Sequence, residues 1–262
     1  MTTTKVLMCA PGHFGVNYEI NPWMQNQQGR VNKVTANNQW ARLYNEVSRV
    51  ADVLLIPEVE GLPDLVFTAN AGVVHDNIAI VSRFRNQERR GEEFYFTNWF
   101  IKQGYLTINI DNYYEGAGDH LWDNLGRHWL GTGWRTDPLA AVELSKILDR
   151  PIRRLELVDN RWYHLDTCFC PLSGGELLWY PAAFSESSQR MIRAEFDHLI
   201  AVSLEDALNF ACNALCIGRT VFIPNNRGIS QRLRELGYTV FDFDLGEFMR
   251  AGGAAKCLTL QV

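Results

Sequence analysis

No stretch of this chain is apolar enough to cross a bilayer: the longest apolar runs, Ala51 to Pro57 with one Asp and Ile78 to Val81, stop well short of the roughly 18 residues a spanning helix needs. The N-terminus from Met1 to Cys9 also lacks the long apolar core and small-residue cleavage site of a secretory signal, which predicts a cytoplasmic protein with no membrane partner. Cysteine is scarce, six in 262 residues, too few for a disulfide scaffold. Cys168, Cys170, Cys212 and Cys216 show no second pair at metal-site spacing, so we read them as packing and expect no metal. Charge of one sign is not concentrated anywhere, and the balance of 25 Lys and Arg against 30 Asp and Glu, a net charge of −5, argues against a nucleic-acid surface. Gly-x-Ser-x-Gly, a phosphate loop and His-Glu-x-x-His are all missing, and Gly116-x-Gly118 lacks the third glycine of a dinucleotide fingerprint, so no cofactor is expected.

What the chain does have is 47% hydrophobic residues with no low-complexity linker, the composition of an ordinary folded protein. We read a single domain, 1–262, of mixed α and β class. Helical periodicity predicts helices over Asn38 to Val50, Glu92 to Gln103, Pro138 to Leu148, Ser185 to Glu195 and Ser230 to Leu236. The polar segment Gln25 to Asn38 reads as a loop.

Between the helices runs a repeat of paired strands. Thr68 to Ser82 turns at His75-Asp76-Asn77, Gly118 to Gly131 at Asp123 to Gly126, Asp166 to Tyr180 at Ser173-Gly174-Gly175, and Asn213 to Pro224 at Gly218-Arg219. A fifth pair forms if Lys256 to Gln261 meets Lys5 to Ala10. One marker per hairpin (Asn70, Asp119, His164, Asn213, Cys257) recurs every 44 to 49 residues, the scale of architectures that close a core by stacking. With a helix and a further strand after each hairpin, five ββαβ units predict a closed ring with pseudo-fivefold symmetry.

The polar residues hardest to explain by packing sit where these hairpins begin: Asn70, Glu115 with Asp119, His164 with Asp166, and Cys257 after Gly252-Gly253. In a ring such equivalent positions converge on the axis. The set suits nucleophilic catalysis, with a thiolate to attack, a histidine to move protons and carboxylates to hold a cation. His164 and Asp166, two apart on an expected strand, would face the same side.

Five motifs, Phe67-Thr68-Ala69-Asn70, Glu115-Gly116-Ala117-Gly118-Asp119, Gly133-Trp134-Arg135-Thr136, His164-Leu165-Asp166-Thr167 and Gly253-Ala254-Ala255-Lys256-Cys257, together resemble the guanidino-group-modifying, or pentein, enzymes over nearly the whole chain. The resemblance implies a five-bladed αβ propeller. It also implies Cys257 as nucleophile on a guanidinium carbon, His164 as acid and base, Glu115 orienting His164 or the substrate, and Asp166 holding guanidinium nitrogens. Arg135 and Arg89 are expected on an α-carboxylate, Asp64 on an α-amino group, and Asp119 as a further substrate contact. Deiminases and dimethylarginine dimethylaminohydrolases usually carry Asp where this chain has Asn70. That departure, with Tyr18 to Met24, is similar to the arginine dihydrolases, in which Asn21 also matches a site asparagine. The expected reaction is therefore L-arginine to ornithine, two ammonia and carbon dioxide, with a small-molecule substrate as partner and a homo-oligomer left open. The alternative is a dimethylaminohydrolase or deiminase that releases citrulline. A non-catalytic, ribosome-binding pentein would not need the Cys, His and Asp set.

Overall fold

The structure, a computed structural model, describes residues 4–262; residues 1–3, part of the N-terminal stretch read above, lie outside the described residues. Five three-stranded sheets share one pattern: two antiparallel strands, then a helix, then a third strand parallel to the second. The complete units in chain order are Gly72–His75, Ile78–Val81, helix Arg90–Lys102 and Leu106–Asn109; His120–Trp122, His128–Thr132, helix Ala140–Leu148 and Ile152–Glu156; Phe169–Pro171, Glu176–Trp179, helix Glu186–Glu195 and His198–Ala201; and Leu215–Ile217, Thr220–Pro224, helix Arg227–Glu235 and Thr239–Phe243. The fifth unit is split across the sequence. Leu260–Gln261 lies antiparallel to Lys5–Cys9 (Leu7 opposite Leu260), and helix Lys33–Val47 leads to the parallel strand Asp52–Ile56.

A parallel pair needs a crossover, and each helix supplies one while covering its sheet with an apolar face. The hairpins stay tight because their turns hold residues that tolerate positive φ, such as Asp76 (φ +53) and Gly218 (φ +54). Large aromatics fill the space between sheets and helices. Trp129, for example, is fully buried against Phe169 and Phe196.

The units join through the short turns that open each hairpin, and these joints go all the way round. Asn70 Nδ2 donates to Glu115 O (3.1 Å), Leu165 N to Asp119 Oδ1 (3.0 Å), and Asn213 Nδ2 to Asp166 O (3.1 Å). Cys257 N donates to Asn213 Oδ1 (3.2 Å) and Ala69 N to Cys257 O (3.1 Å), which returns the circuit to its start. The result is a five-bladed αβ propeller whose axis is lined by the turns bearing the candidate residues.

Three local expectations change. The helix expected from Asn38 starts at Lys33, capped by Asn32, whose side chain accepts from Thr35 N; so Gln25 to Asn38 is a loop only in its first half. Its buried stripe, Ala36, Trp40, Leu43 and Val47, is interleaved with Asn and Gln that masked the period. The helix expected from Ser230 likewise starts at Arg227, after the Asn226 cap. His164 and Asp166 do not share a strand: Leu165–Thr167 is a 3-10 turn, and the strand begins at Phe169. Among the described residues no helix is long and apolar enough to cross a membrane, and no group of three or more His, Cys, Asp or Glu is placed to hold a metal.

Candidate functional site

The turn at Leu165–Thr167 sets the geometry of the site. Asp119 fixes it by accepting from Leu165 N through one oxygen and from Thr136 Oγ1 (2.7 Å) through the other. The turn then aims its two polar side chains at different partners. His164 Nε2 lies 2.7 Å from Glu115 Oε2, while Asp166 Oδ2 lies 3.1 Å from Cys257 Sγ. All four groups are buried.

Glu115 is the hub of a fixed frame. Its Oε2 also accepts from Arg135 Nη1 (2.9 Å), and Arg135 lies over the Tyr163 ring, 4.6 Å from its centroid, and donates to Ile20 O. Burial alone would raise the Glu115 carboxyl, but the Arg135 charge and the His164 hydrogen bond outweigh it and hold the group well below the usual carboxylate range. Burial holds the His164 imidazole at about 4, even against its bond to Glu115. An ionised Glu115 only accepts, so the neutral imidazole carries its proton on Nε2. The His164 Nδ1 lone pair has no hydrogen-bond partner in the protein. Gly118 sits beside it: a Cβ there would come within 3.3 Å of Nδ1 and 2.2 Å of Asn70 Nδ2.

Cys257, the expected nucleophile, lies on the other flank. Burial pushes the Cys257 thiol up, and the Asp166 carboxylate pushes it further. Asp166 is itself raised to about 6 by burial, with Lys256 opposing, and its Oδ1 has no hydrogen-bond partner in the protein. Beyond Asn70 the network continues inward. Arg89 Nη1 donates to Asn70 Oδ1 (2.9 Å), its Nε and Nη2 fork grips Glu92 at 2.9 and 2.7 Å, and Asp64 lies 3.9 Å away. Asp64 Oδ2 accepts from Tyr18 Oη, Oδ1 has no hydrogen-bond partner, and burial raises the carboxyl. A cavity of about 520 Å³ opens beside Arg135 and Tyr163, rimmed by Glu19, Asn21 and Trp134.

The family model described as N,N dimethylarginine dimethylhydrolase, eukaryotic, matches residues 10–262. The chain belongs to this family. Within and around the family, it is 38% identical to the N(G),N(G)-dimethylarginine dimethylaminohydrolase of Mycobacterium tuberculosis, over 99% of this chain and 86% of that one. It is 44% identical to the bifunctional arginine dihydrolase/ornithine cyclodeaminase ArgZ of Synechocystis, over 98% of this chain but 37% of that protein, so the chain spans little more than a third of that relative's length. The crystal structure of the N-terminal domain of ArgZ, a mutant bound to substrate and described as an arginine dihydrolase from cyanobacteria, superposes with a TM-score of 0.97. The two are 43% identical, with 99% of this chain and 98% of that one covered.

In this member of the dimethylarginine dimethylhydrolase family, the expected residues fall into one connected network, and three of them are already engaged by other groups of the protein. Asp119 has both oxygens engaged by Thr136 and Leu165, so it braces the His164 turn instead of facing a ligand. Arg89 donates to Glu92 through Nε and Nη2, to Asn70 Oδ1 through Nη1 and to the Asp64 carbonyl through Nη2, so both of its bidentate edges are engaged within the protein. Asn21 accepts from Trp23 N and Met24 N and donates to Ala251 O, so it ties the loop before Cys257 to the cavity rim. Sequence reasoning missed Tyr163, whose hydroxyl donates to Gly252 O (2.9 Å), and Asn213, whose amide touches the Cys257 sulfur. For Asn213 the signal was present, since it marks the fourth hairpin at the same phase as Asn70 and Cys257.

Proposed function

We propose that the chain is an arginine dihydrolase, converting L-arginine and two waters to ornithine, two ammonia and carbon dioxide through a covalent adduct on Cys257. The observation that carries this reading is the meeting of Cys257 Sγ with Asp166 Oδ2 at 3.1 Å, on the turn whose preceding residue, His164, keeps Nδ1 open because its Nε2 is bound to Glu115. Arg135 at the cavity rim takes the α-carboxylate, and Asn21 lines the same cavity.

A guanidinium laid on Asp166 offsets the charge that keeps the thiol protonated, so substrate binding itself favours the thiolate. Sγ attacks the guanidinium carbon, and His164 takes the thiol proton at Nδ1 and passes it to the departing ammonia. His164 then draws a proton from water as that water attacks, the C–S bond breaks, and bound citrulline results. A second attack expels the remaining ammonia, and water releases a carbamate that falls apart to ornithine and carbon dioxide.

Asn70 is the residue that favours this second round. A neutral ureido group loses its charge-assisted bonds in a site with two carboxylates and departs, whereas an amide donates to the new carbonyl oxygen. The likeness to the ArgZ domain supports the same reading. A second reading rests on the family model and the M. tuberculosis relative: the same thiol acting on a methylated arginine and stopping at citrulline. Incubation of the purified protein with L-arginine, and separately with dimethylarginine, while ornithine, citrulline and ammonia are quantified, decides between them. Ornithine with two ammonia per arginine and no urea is expected; citrulline as the end product overturns the dihydrolase.

A further inference from the structure

The Cys257 sulfur has two polar neighbours, and only one has been given a task. Opposite Asp166, Asn213 Nδ2 lies 3.0 Å from Cys257 Sγ, and the asparagine is fully buried. Which end of an amide faces a given atom is ordinarily a matter of assignment. Here the surroundings leave one choice. Asn213 Oδ1 faces two donors that cannot accept, Ala254 N at 2.9 Å and Cys257 N at 3.2 Å. Its Nδ2 faces the carbonyl of Asp166 at 3.1 Å, which cannot donate. Reversing the amide would break three bonds at once, so a nitrogen points at the sulfur.

We infer that Asn213 is a catalytic residue that donates an N–H to Cys257 Sγ and stabilises the thiolate, both when it forms and when it departs from the covalent adduct. The inference rests on Cys257 being the nucleophile proposed above. The two neighbours of the sulfur act in opposite senses. Asp166 accepts from the thiol and repels the thiolate, so its bond is given up on ionisation. The Asn213 donor strengthens as negative charge collects on sulfur. Among the hydrogen bonds of the described residues, Asn213 Nδ2 is the donor that reaches Sγ. No proton moves to or from Asn213 in either step; it only solvates the sulfur while the C–S bond forms or breaks. A dihydrolase breaks that bond twice per arginine, so a leaving thiolate that lacks the donor is penalised twice.

The test follows alkylation of Cys257 by iodoacetamide as a function of pH, with the modified residue located by mass spectrometry and Cys257→Ser as the blank. Asn213→Asp keeps an oxygen for the two backbone donors but replaces the donor to sulfur, and Asn213→Ser provides a second variant. Both should move the alkylation midpoint up by about one pH unit, about tenfold in rate at neutral pH, with kcat lowered in parallel and KM little changed. If both variants melt like the wild type and their midpoint is unmoved, Asn213 is structural only and the inference is overturned. If neither variant folds, the wild type still answers: the Asn213 side-chain amide resonances should shift as Cys257 titrates and stay still in Cys257→Ser, and a signal that ignores the titration overturns the inference. Failure of the underlying reading looks different, because Cys257→Ser would then retain turnover.

Discussion

The two flanks of the site are built on opposite principles. Around Glu115 every charge has a partner inside the protein: Arg135 and His164 share one carboxylate oxygen, and Arg89 is locked to Glu92. Around Cys257 the carboxylate of Asp166 faces a thiol and has an oxygen with no hydrogen-bond partner, while the neighbouring positive charge belongs to a lysine whose own pKa is lowered by burial. The first flank is held by bonds within the protein itself. The second gains most from a cation, and a guanidinium is one. On the proposed mechanism, the difference gives rigidity to the side that would manage protons and responsiveness to the side that would make the bond.

The sharpest way to break the comparison is to remove the bond-making atom. Cys257→Ser should lower turnover by about a thousandfold or more while leaving the unfolding curve unchanged, because a buried hydroxyl replaces a thiol of similar shape. Loss of stability on that scale would mean that the sulfur is a packing atom. The opposite signature is expected on the other flank. Glu115→Gln leaves Arg135 without its buried counter-charge and should cost about 3–5 kcal/mol in chemical denaturation, together with most of the activity. Activity lost at full stability would mean that Glu115 is not the hub described.

Asn70→Asp tests the border between the flanks. It should shift the product toward citrulline, and it also sets a carboxylate oxygen against the Glu115 carbonyl where an N–H now donates, at a cost of about 1–3 kcal/mol. Unchanged ornithine output with unchanged stability would refute both effects.

Acid separates the site histidine from a second buried pair outside it. His120 Nε2 lies 2.9 Å from His128 Nδ1, and burial holds them at about 3 and about 4, against about 4 for His164. Each is neutral when folded and takes up a proton at higher pH once unfolded. Stability is therefore fully present above the unfolded value of about 6.5 and is lost as pH falls from there toward 4 and 3. Asp166, raised to about 6, works the other way and stabilises the protonated native state as pH falls through 6. Replacing the outlying pair by His120→Gln and His128→Gln should flatten the acid limb of the stability curve, monitored by denaturant midpoints across pH, without moving the pH profile of kcat/KM. Tyr163→Phe is the mildest probe: its ring remains on Arg135 and His164, and loss of the Gly252 bond should cost about 1 kcal/mol.

The ring was legible because its hairpin turns need particular residues, and those residues recur at a fixed phase. Cys257, His164 and Asp166 were legible for the same reason. Arg89 was not. Its fate depends on Glu92, three residues on, and an i, i+3 pair looks the same in sequence whether it is solvated or buried. The place of Asp119 depends on Leu165 N, a backbone group 46 residues away that no side-chain pattern reveals. Asn213 was counted as a ruler mark because asparagine at a turn is ordinarily turn chemistry, and only its contact with sulfur distinguishes it.

The seam of the ring bears on the site. Cys257 stands just ahead of the short strand that lies on Lys5–Cys9, and its backbone joins the turns at Asn213 and Ala69. Four units take all their strands from one stretch of chain, whereas this fifth is split across the sequence. The thiol meets Asp166 and Asn213 where this last joint is made. The seam and the site therefore close together, and opening the seam parts the thiol from both Asp166 and Asn213.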